Sequence, residues 1–228
     1  MSGGLEGFLA LELSGEPATV ALAAGGGILE RRIPGERGRA VLAEVDALLR
    51  QAAFTKGALR AVLCGRGPGS YTGLRIAAAT ARSLGFALGI PAVGLPGFDA
   101  AAHAWFEENP EAEGLQLLQD AFRREFYLGR ATPSPGGTPA VEINVVGGEE
   151  LRERWEPRIP WLGDASVQDA LPPGAPPPRA PLAPRARDLL RLAGALAARG
   201  RDPQDPRAFP PTPLYLRPAL TRKRGQPS

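Results

Sequence analysis

The sequence has very little cysteine, histidine and lysine, and it has no long hydrophobic run. Cys64 and His103 are the only residues of their types among the 228. A disulfide within the chain needs two cysteines, and a Cys/His zinc site needs several such ligands, so both are excluded and we predict neither a metal nor a cofactor. No apolar run approaches the roughly 20 residues that span a bilayer, and residues 1–13 lack the features of a signal peptide. We therefore expect a cytoplasmic protein.

The composition is that of a folded protein. Hydrophobic residues make up 43% of the chain and charged residues 22%, which is typical of globular domains. The net charge is +3, and nearly all of the basic residues are arginines, because Lys56 and Lys223 are the only lysines. So small an excess of positive charge says little about nucleic acids, and a solvated surface explains it equally well.

The first hundred residues predict an α/β order. Short apolar runs separated by turn residues indicate strands, and apolar positions at spacings of three and four indicate helices. Gly89 and Pro91 end the second helix. The predicted elements are three strands in an antiparallel meander (Phe8–Leu13, Ala18–Ala24, Ile28–Ile33), a helix (Arg39–Phe54), a strand (Leu59–Cys64), a helix from Ser70 to about Leu88, and a strand (Ala92–Leu95).

The rest of the chain predicts a second sheet that begins near Leu115. Its proline-rich connection is expected to be extended at the surface. The tail from Thr221 to Ser228 is expected to be disordered. The predicted elements are a helix containing residues 98–106, strands at 115–119, 125–130 and 141–146, a proline-rich connection at 172–184, and a helix at 185–199.

A glycine-rich turn between a strand and a helix is the most informative segment, running from Cys64 to Ile76. This geometry presents free backbone N–H groups to an anion and favours a phosphate-site hypothesis. The details fit the usual phosphate loops poorly. A Walker loop needs a lysine that is absent, and the glycine spacing departs from the dinucleotide fingerprint. Ser70 lacks the flanking glycines of a nucleophile elbow.

The helix after this turn carries small residues at every fourth position, namely Gly73, Ala77, Ala81 and Gly85. Such a stripe lets another helix approach closely. On spacing alone, packing within the same domain is the better explanation, and a subunit interface is the less common one. Arg75 and Arg82 are seven residues apart and share a face, for which solvation is the default.

Other candidate residues favour structural roles. Asp99 and His103 are four apart on a predicted helix and could touch, but no nucleophile accompanies them. Cys64 ends an apolar strand and is expected to behave as a small hydrophobe. Charge at residues 123–125 and in the tail at 222–224 could meet RNA, although charge runs are usually solvated. The three tryptophans are expected in the core: Trp105, Trp155 and Trp161.

The turn and helix start resemble the signature of a known family. The run Gly67-Pro68-Gly69-Ser70-Tyr71-Thr72-Gly73-Leu74-Arg75 is similar to the motif of the TsaB (YeaZ) family, which usually has Phe in place of Tyr71. Weaker matches follow in the family's order: Gly89-Ile90-Pro91, Phe98-Asp99-Ala100, Asp120-Ala121, Glu125-Phe126-Tyr127 and Leu214-Tyr215-Leu216-Arg217. The resemblance spans about residues 9–217.

The resemblance implies an actin-like ATPase (ASKHA) fold of two related α/β subdomains, divided here into residues 1–100 and 101–228. It also implies a role in tRNA threonylcarbamoyladenosine (t6A) synthesis, as a non-catalytic relative of the catalytic subunit TsaD that works with the ATPase TsaE. Active relatives place an Asp at the end of the first strand, where this chain has Glu12-Leu13-Ser14. ATP hydrolysis by this chain is therefore not expected.

In the family, the two helices of the first subdomain pair with those of TsaD, or with a second copy in a homodimer. The resemblance thus reverses the preference for packing of the small-residue stripe within the domain. It assigns partner contact to Val41, Val45, Leu48, Ser70, Tyr71, Thr72, Gly73, Arg75, Ala77, Ala81, Arg82 and Gly85, with Gly67, Pro68 and Gly69 shaping the turn. On this basis Ala77→Glu should break the complex and leave the monomer folded.

Two functions from other classes remain as alternatives. A nucleotide-binding enzyme would use the turn from Gly65 to Gly73 as a phosphate site, and loss of nucleotide binding in Gly69→Val would support it. A peptidase would need a nucleophile beside a base, which the spacing does not offer.

Overall fold

The structure is a computed structural model that describes residues 4–35, 37–134 and 137–216. Two mixed β-sheets, each flanked by helices, make up this part of the chain. In chain order the elements are β1 Phe8–Glu12, β2 Thr19–Ala24, β3 Gly27–Arg32, α1 Arg37–Gln51, β4 Ala61–Gly65, α2 Tyr71–Leu88, β5 Ala92–Leu95, α3 Gly97–Glu108, β6 Leu115–Asp120, β7 Glu125–Thr132, β8 Ala140–Gly147, α4 Gly148–Arg154, β9 Trp161–Gly163, α5 Ala165–Gln168 and α6 Ala186–Ala198.

The first sheet has the strand order β3-β2-β1-β4-β5. β1, β2 and β3 form the predicted antiparallel meander, with Leu9 opposite Leu22. β4 pairs parallel with β1, and β5 pairs parallel with β4. Every residue of β1 and β4 is buried, because helices cover both faces of the sheet. This double burial explains why these strands are almost continuous apolar runs rather than alternating ones.

Helices pack against the two faces of this sheet in pairs. On one face, α1 and α2 contribute Val41, Val45, Ala77 and Ala81 to a hydrophobic cluster that also contains Leu11 of β1. On the other face, α6 supplies the apolar residues Leu189, Leu190, Leu192, Ala193 and Leu196, and α3 contacts α6 beside them. The spacing of three and four that predicted α1 and α6 is therefore the spacing of their buried faces.

The second sheet has the order β8-β7-β6-β9. β6, β7 and β8 form another antiparallel meander, and β9 pairs parallel with β6. Trp155 and Trp161 meet edge to face in the core under this sheet, with ring centroids 5.7 Å apart. The predicted core placement is confirmed for these two tryptophans, whereas Trp105 is half-buried at the rim of a neighbouring cluster.

The same pattern therefore occurs twice in the chain. In each half an antiparallel meander comes first, and the next strand pairs parallel with the first strand of the meander. This repetition confirms the predicted fold class, an actin-like ATPase architecture of two related α/β halves.

Three elements were not predicted from the sequence. β9 has only three residues and α5 only four, which is too short to produce a periodic pattern. α4 buries a single residue, Leu151, so its sequence shows charge rather than an apolar stripe. The tail at 221–228, expected to be disordered, lies outside the described residues.

The last helix does not keep to the predicted division of the chain. α6 comes from the range assigned to the second subdomain, yet it packs on the first sheet. Glu30 of β3 is almost fully buried and forms ion pairs with Arg185 and Arg187, the latter at 3.2 Å. The hydroxyl of Thr19 accepts a hydrogen bond from the backbone N–H of Ala186 at 2.8 Å. The division of the chain into two subdomains at residue 100 remains a prediction. α6 does not follow it, because this helix comes after residue 100 and packs on the first sheet.

Across the ranges that the structure describes, no helix is both long enough and apolar enough to cross a membrane.

Candidate functional site

The glycine-rich turn connects β4 to α2 and packs directly on the chain that leaves β1. Gly67 and Gly69 have φ values of +94° and +146°. A Cβ atom at Gly69 would lie 2.5 Å from the carbonyl oxygen of Ser14, closer than atoms can approach. Glycine is therefore required there both by the backbone conformation and by the lack of space.

Ser70 joins this turn to the helix. Its N–H donates to the carbonyl of Ser14 at 2.8 Å, and its Oγ accepts a bond from the N–H of Gly73 at 3.2 Å. The predicted N-cap at Ser70 is confirmed. The turn is also tied to α3, because the N–H of Gly97 donates to the carbonyl of Gly67 at 2.9 Å.

Glu12 is the last residue of β1. Its side chain is fully buried, and Oε1 accepts a hydrogen bond from the N–H of Ser14 at 2.8 Å. Oε2 has no hydrogen-bond partner among the described residues. A Cβ atom on Gly65 would lie 1.9 Å from Oε2, and one on Gly97 would lie 3.4 Å away. The carboxyl group thus fills the space between the end of β4 and the start of α3.

The surroundings of Glu12 disfavour its ionised form. Burial raises the pKa of this carboxyl group to about 7, against the lowering effect of its hydrogen bonds with Ser14. The nearby carboxyl of Asp188 adds to the rise. Burial also raises the pKa of Asp188 itself to about 6.

The residues present do not fit a bound nucleotide at this turn. The N–H groups of Ser70 and Gly73 are already bonded within the protein, and so is that of Arg66, which donates to the carbonyl of Leu95. The carboxyl group of Glu12 already occupies the space beneath the turn, so a phosphate would have no room there. Among the described residues, no three His, Cys, Asp or Glu side chains are grouped to hold a metal ion. No observation therefore favours the alternative of a nucleotide-binding enzyme.

The small-residue stripe of α2 faces the sheet of the same chain. Gly73, Ala77, Ala81 and Gly85 are all buried. A Cβ atom on Gly85 would lie 2.9 Å from the carbonyl oxygen of Ile90, so the stripe lets α2 lie close to the chain entering β5. The apolar residues of α1 that were assigned to a partner are buried in the same cluster: Val41, Val45 and Leu48.

Two expectations are corrected by this burial. The stripe and the apolar face of α1 do not form an exposed partner surface, because the chain's own strands cover them. This is the packing that spacing alone favoured before the family resemblance was considered. In addition, Ala77→Glu would place a charge in the monomer's core, so we expect it to destabilise the monomer itself rather than leave it folded.

The opposite face of α2 is open to solvent. One row of exposed positions, three to four residues apart, runs along this face: Thr72, Arg75, Ala79, Arg82 and Phe86. Phe86 is 92% exposed, and Leu42 of the adjacent α1 is 54% exposed. We call Leu42, Ala79, Arg82 and Phe86 the outer helix face. Arg75 and Arg82 do share a side of the helix, as their spacing predicted.

Tyr71, the first residue of α2, is outside the core. Its ring is 53% exposed and lies 5.4 Å from that of Tyr215, centroid to centroid. The guanidinium of Arg75 is 5.2 Å from the Tyr71 ring centroid, and its Nη1 donates to the tyrosine hydroxyl at 3.3 Å. The contact with Tyr215 was not predicted, because the two rings are 144 positions apart in the sequence. Only the resemblance of residues 214–217 to the family had drawn attention to that segment.

The remaining nucleophile and base candidates are not arranged for catalysis. His103 Nε2 lies 3.8 Å from Glu107 rather than pairing with Asp99, and its burial lowers its pKa. Cys64 is buried as predicted, and that burial raises its thiol pKa to about 12. Ser70 Oγ is engaged in the helix cap. These contacts give no support to the peptidase alternative.

The fold and site define a class of protein: an actin-like α/β protein in which a buried glutamate fills the space beneath the glycine-rich turn. A protein-family model described as TsaD, tRNA N6-adenosine threonylcarbamoyltransferase, matches residues 21–134. The solved structure of YeaZ from Pseudomonas aeruginosa is 30% identical, with a TM-score of 0.74, and the match covers 92% of this chain and all of that one. A second P. aeruginosa structure, described as similar to peptidase YeaZ, is 32% identical, with a TM-score of 0.75 and 93% and 100% coverage. The chain belongs to the TsaB (YeaZ) family.

Curated relatives match over shorter regions. The tRNA threonylcarbamoyladenosine biosynthesis protein TsaB of Haemophilus influenzae is 32% identical over 126 residues, which are 53% of this chain and 52% of that protein. A Mycobacterium tuberculosis protein is 36% identical over 105 residues, 44% of this chain and 47% of its own length. The chain thus spans about half the length of the curated relatives it matches.

Proposed function

We propose that this chain is a non-catalytic scaffold subunit in the synthesis of t6A in tRNA, that it binds the catalytic subunit TsaD directly, and that it works with the ATPase TsaE through that complex. Membership of the TsaB family supports the pathway, since the H. influenzae relative is named for threonylcarbamoyladenosine biosynthesis. The buried Glu12 supports the non-catalytic role, because it fills the space that a nucleotide phosphate would need.

The outer helix face is the observation that supports partner binding most strongly. A phenylalanine that is 92% exposed on a regular helix gains nothing from packing within its own chain. Aromatic residues are enriched at the centres of protein interfaces, where they bury a large area at low entropic cost. α1 and α2 lie side by side on one face of the sheet, so their solvent sides form one surface for TsaD, or for a second copy in a homodimer.

Mixing the purified chain with TsaD and measuring the complex by size exclusion and by titration tests this function. We expect a heterodimer for the native chain. Phe86→Glu should weaken it at least about tenfold, because a charge in a desolvated interface is costly. Phe122→Glu is the matched control, since Phe122 is also exposed but lies in the turn between β6 and β7.

The proposal would be wrong if the native chain showed no association with TsaD. If Phe86→Glu and Phe122→Glu bound TsaD equally well, the pathway assignment would stand but the outer helix face would not be the contact. Sedimentation of the chain alone tests for a homodimer, which Phe86→Glu should convert to monomer.

A further inference from the structure

The segment after α6 returns to the glycine-rich turn and is held there by hydrogen bonds. The N–H of Gly94 donates to the carbonyl of Phe209 at 2.9 Å, and the N–H of Leu214 donates to the carbonyl of Arg66 at 2.8 Å. Arg66 reciprocates, because its Nε donates to the carbonyl of Thr212 at 2.7 Å. These bonds fix the position of Tyr215 beside the first turn of α2.

The result is a small exposed platform made of Tyr71, Tyr215 and Arg75. The two rings lie 5.4 Å apart with a tilt of 38°, and each is about half-exposed, at 53% and 52%. Arg75 covers part of the Tyr71 ring and is itself exposed. Within the described ranges, no carboxylate lies at ion-pair distance from its guanidinium, so this cation is available to an external anion.

Positive charge continues along the chain from this point. The residue after Tyr215 is the last that the structure describes, and residues 217–228 contain Arg217, Arg222, Lys223 and Arg224 but no Asp or Glu. The sequence that directly follows the platform along the chain is therefore positively charged. A flat aromatic surface, a guanidinium without an ion pair among the described residues, and a basic sequence next to them in the chain together match a polyanion that carries planar rings.

We propose that the tyrosine platform binds single-stranded RNA, with an unpaired base stacking on Tyr215 and a phosphate meeting Arg75. Aromatic side chains recognise unpaired bases by stacking, whereas bases inside a duplex are not accessible to them. The inference extends the proposed function, because it identifies RNA as a direct ligand of this subunit. The outer helix face is a separate surface on the later turns of α2.

Fluorescence anisotropy with a labelled RNA hairpin that has a single-stranded loop tests the platform on the full chain. Tyr215→Ala should weaken binding about tenfold, the loss expected for one stacked base. Tyr215→Phe keeps the ring and should bind like the native chain. Arg75→Gln should reduce the slope of log affinity against log salt by about 0.7 for a single phosphate contact. Phe122→Ala, which removes another exposed aromatic ring, should have no effect.

A blunt-ended RNA duplex is the second probe, and the native chain should bind it more weakly than the looped hairpin. Circular dichroism establishes that each variant is folded. The proposal is overturned if the native chain does not bind the hairpin, or if Tyr215→Ala binds it as tightly as the native chain. It is also overturned if only replacement of Arg222, Lys223 and Arg224 by Gln reduces binding, since the basic segment would then act without the platform.

The two proposals can fail independently. RNA binding is measured on the isolated chain, while the scaffold function is measured by association with TsaD. We expect Tyr215→Ala to associate with TsaD normally. If it instead weakened that association and had no effect on RNA, the platform would be a protein contact, and the RNA proposal would be wrong while the scaffold proposal survived.

Discussion

At the scale of single residues, Glu12 is the most unusual feature of the protein. Its carboxyl group is fully buried in the cleft between β1, β4 and α3, where one oxygen has a backbone partner and the other has none among the described residues. Burying an ionised carboxylate with so few partners is costly, so the folded state favours the protonated form. The buried acid therefore makes stability depend on pH.

Glu12→Gln should stabilise the protein at high pH and lose that advantage at low pH. The pKa of Glu12 is about 7 in the folded state, against 4.5 as the ordinary value. Between these values the folded state holds a proton that the unfolded state has released, so native stability falls as pH rises. The loss of folding free energy caused by ionising the buried Glu12 is complete above pH 7, and it is at most about 3 kcal/mol.

Urea unfolding at several pH values between 4.5 and 8.5 measures this difference. Asp99 and Asp188 also have raised pKa values. Both residues are present in the native chain and in Glu12→Gln, so their contributions to the pH dependence largely cancel in the difference. Glu111→Gln removes the same charge from an exposed turn and should show no comparable trend. A stability difference for Glu12→Gln that did not change with pH would contradict the prediction.

At the scale of elements, α2 has two chemically different sides and a well-defined start. The side with small residues packs on the sheet, the opposite side presents Arg82 and Phe86, and Ser70 caps the first turn. The glycines of the signature motif allow the positive φ angles of the turn, and Ser70 caps the helix that follows. The motif can therefore be explained by its structural role in this turn. Its resemblance to a phosphate loop comes from the shared strand-turn-helix geometry.

Ser70→Ala should destabilise the protein by about 1 kcal/mol, because the N–H of Gly73 loses its side-chain acceptor. The backbone bond from Ser70 to Ser14 does not depend on the side chain and should persist. Denaturant unfolding measures the loss. Ser83→Ala, at an exposed position of the same helix, should change stability by less than about 0.5 kcal/mol. Equal effects of the two substitutions would show that the cap contributes nothing.

At the scale of the whole molecule, α6 packs a late part of the chain against the sheet formed by the first hundred residues. α6 covers one face of the first sheet, and its start is fixed by the almost fully buried Glu30 of β3. That carboxylate meets Arg185 and Arg187 and also accepts the backbone N–H of Arg187 at 3.0 Å. One apolar face of the first sheet is consequently shielded from solvent only when residues 186–198 have packed on it.

Glu30→Gln should destabilise the protein by about 1–2 kcal/mol. Hydrogen bonds to charged groups contribute more than neutral ones, but both arginines are partly exposed, and solvent screening reduces the effect. Hydrogen exchange should show faster opening of α6 than in the native chain. Glu156→Gln is the matched control, since the ion pair of Glu156 with Arg130, at 3.0 Å, is half-exposed on both sides. A loss no larger than in this control would show that Glu30 does not hold the helix.

Most of the first sheet could be predicted from the sequence, but whether the apolar faces of α1 and α2 meet the chain's own sheet or another protein could not. Periodicity identifies the buried side of α1 through Val41, Val45 and Leu48. It does not distinguish burial by the chain's own sheet from burial by another protein, because both select apolar or small residues. The exposed Phe86 gave no periodic signal, since it is a single apolar residue on a polar face.

Local chemistry determined the glycine-rich turn, the cap at Ser70, the strands of both meanders and the family resemblance, because turns, caps and short strands depend on residues near in sequence. Tertiary structure decided the rest: the docking of α6 on the first sheet, the seating of Glu12 beneath Gly65, and the meeting of Tyr71 with Tyr215. Each of these joins segments far apart along the chain. Their pairing depends on how the two sheets and the returning C-terminal segment pack together, and no local pattern records that.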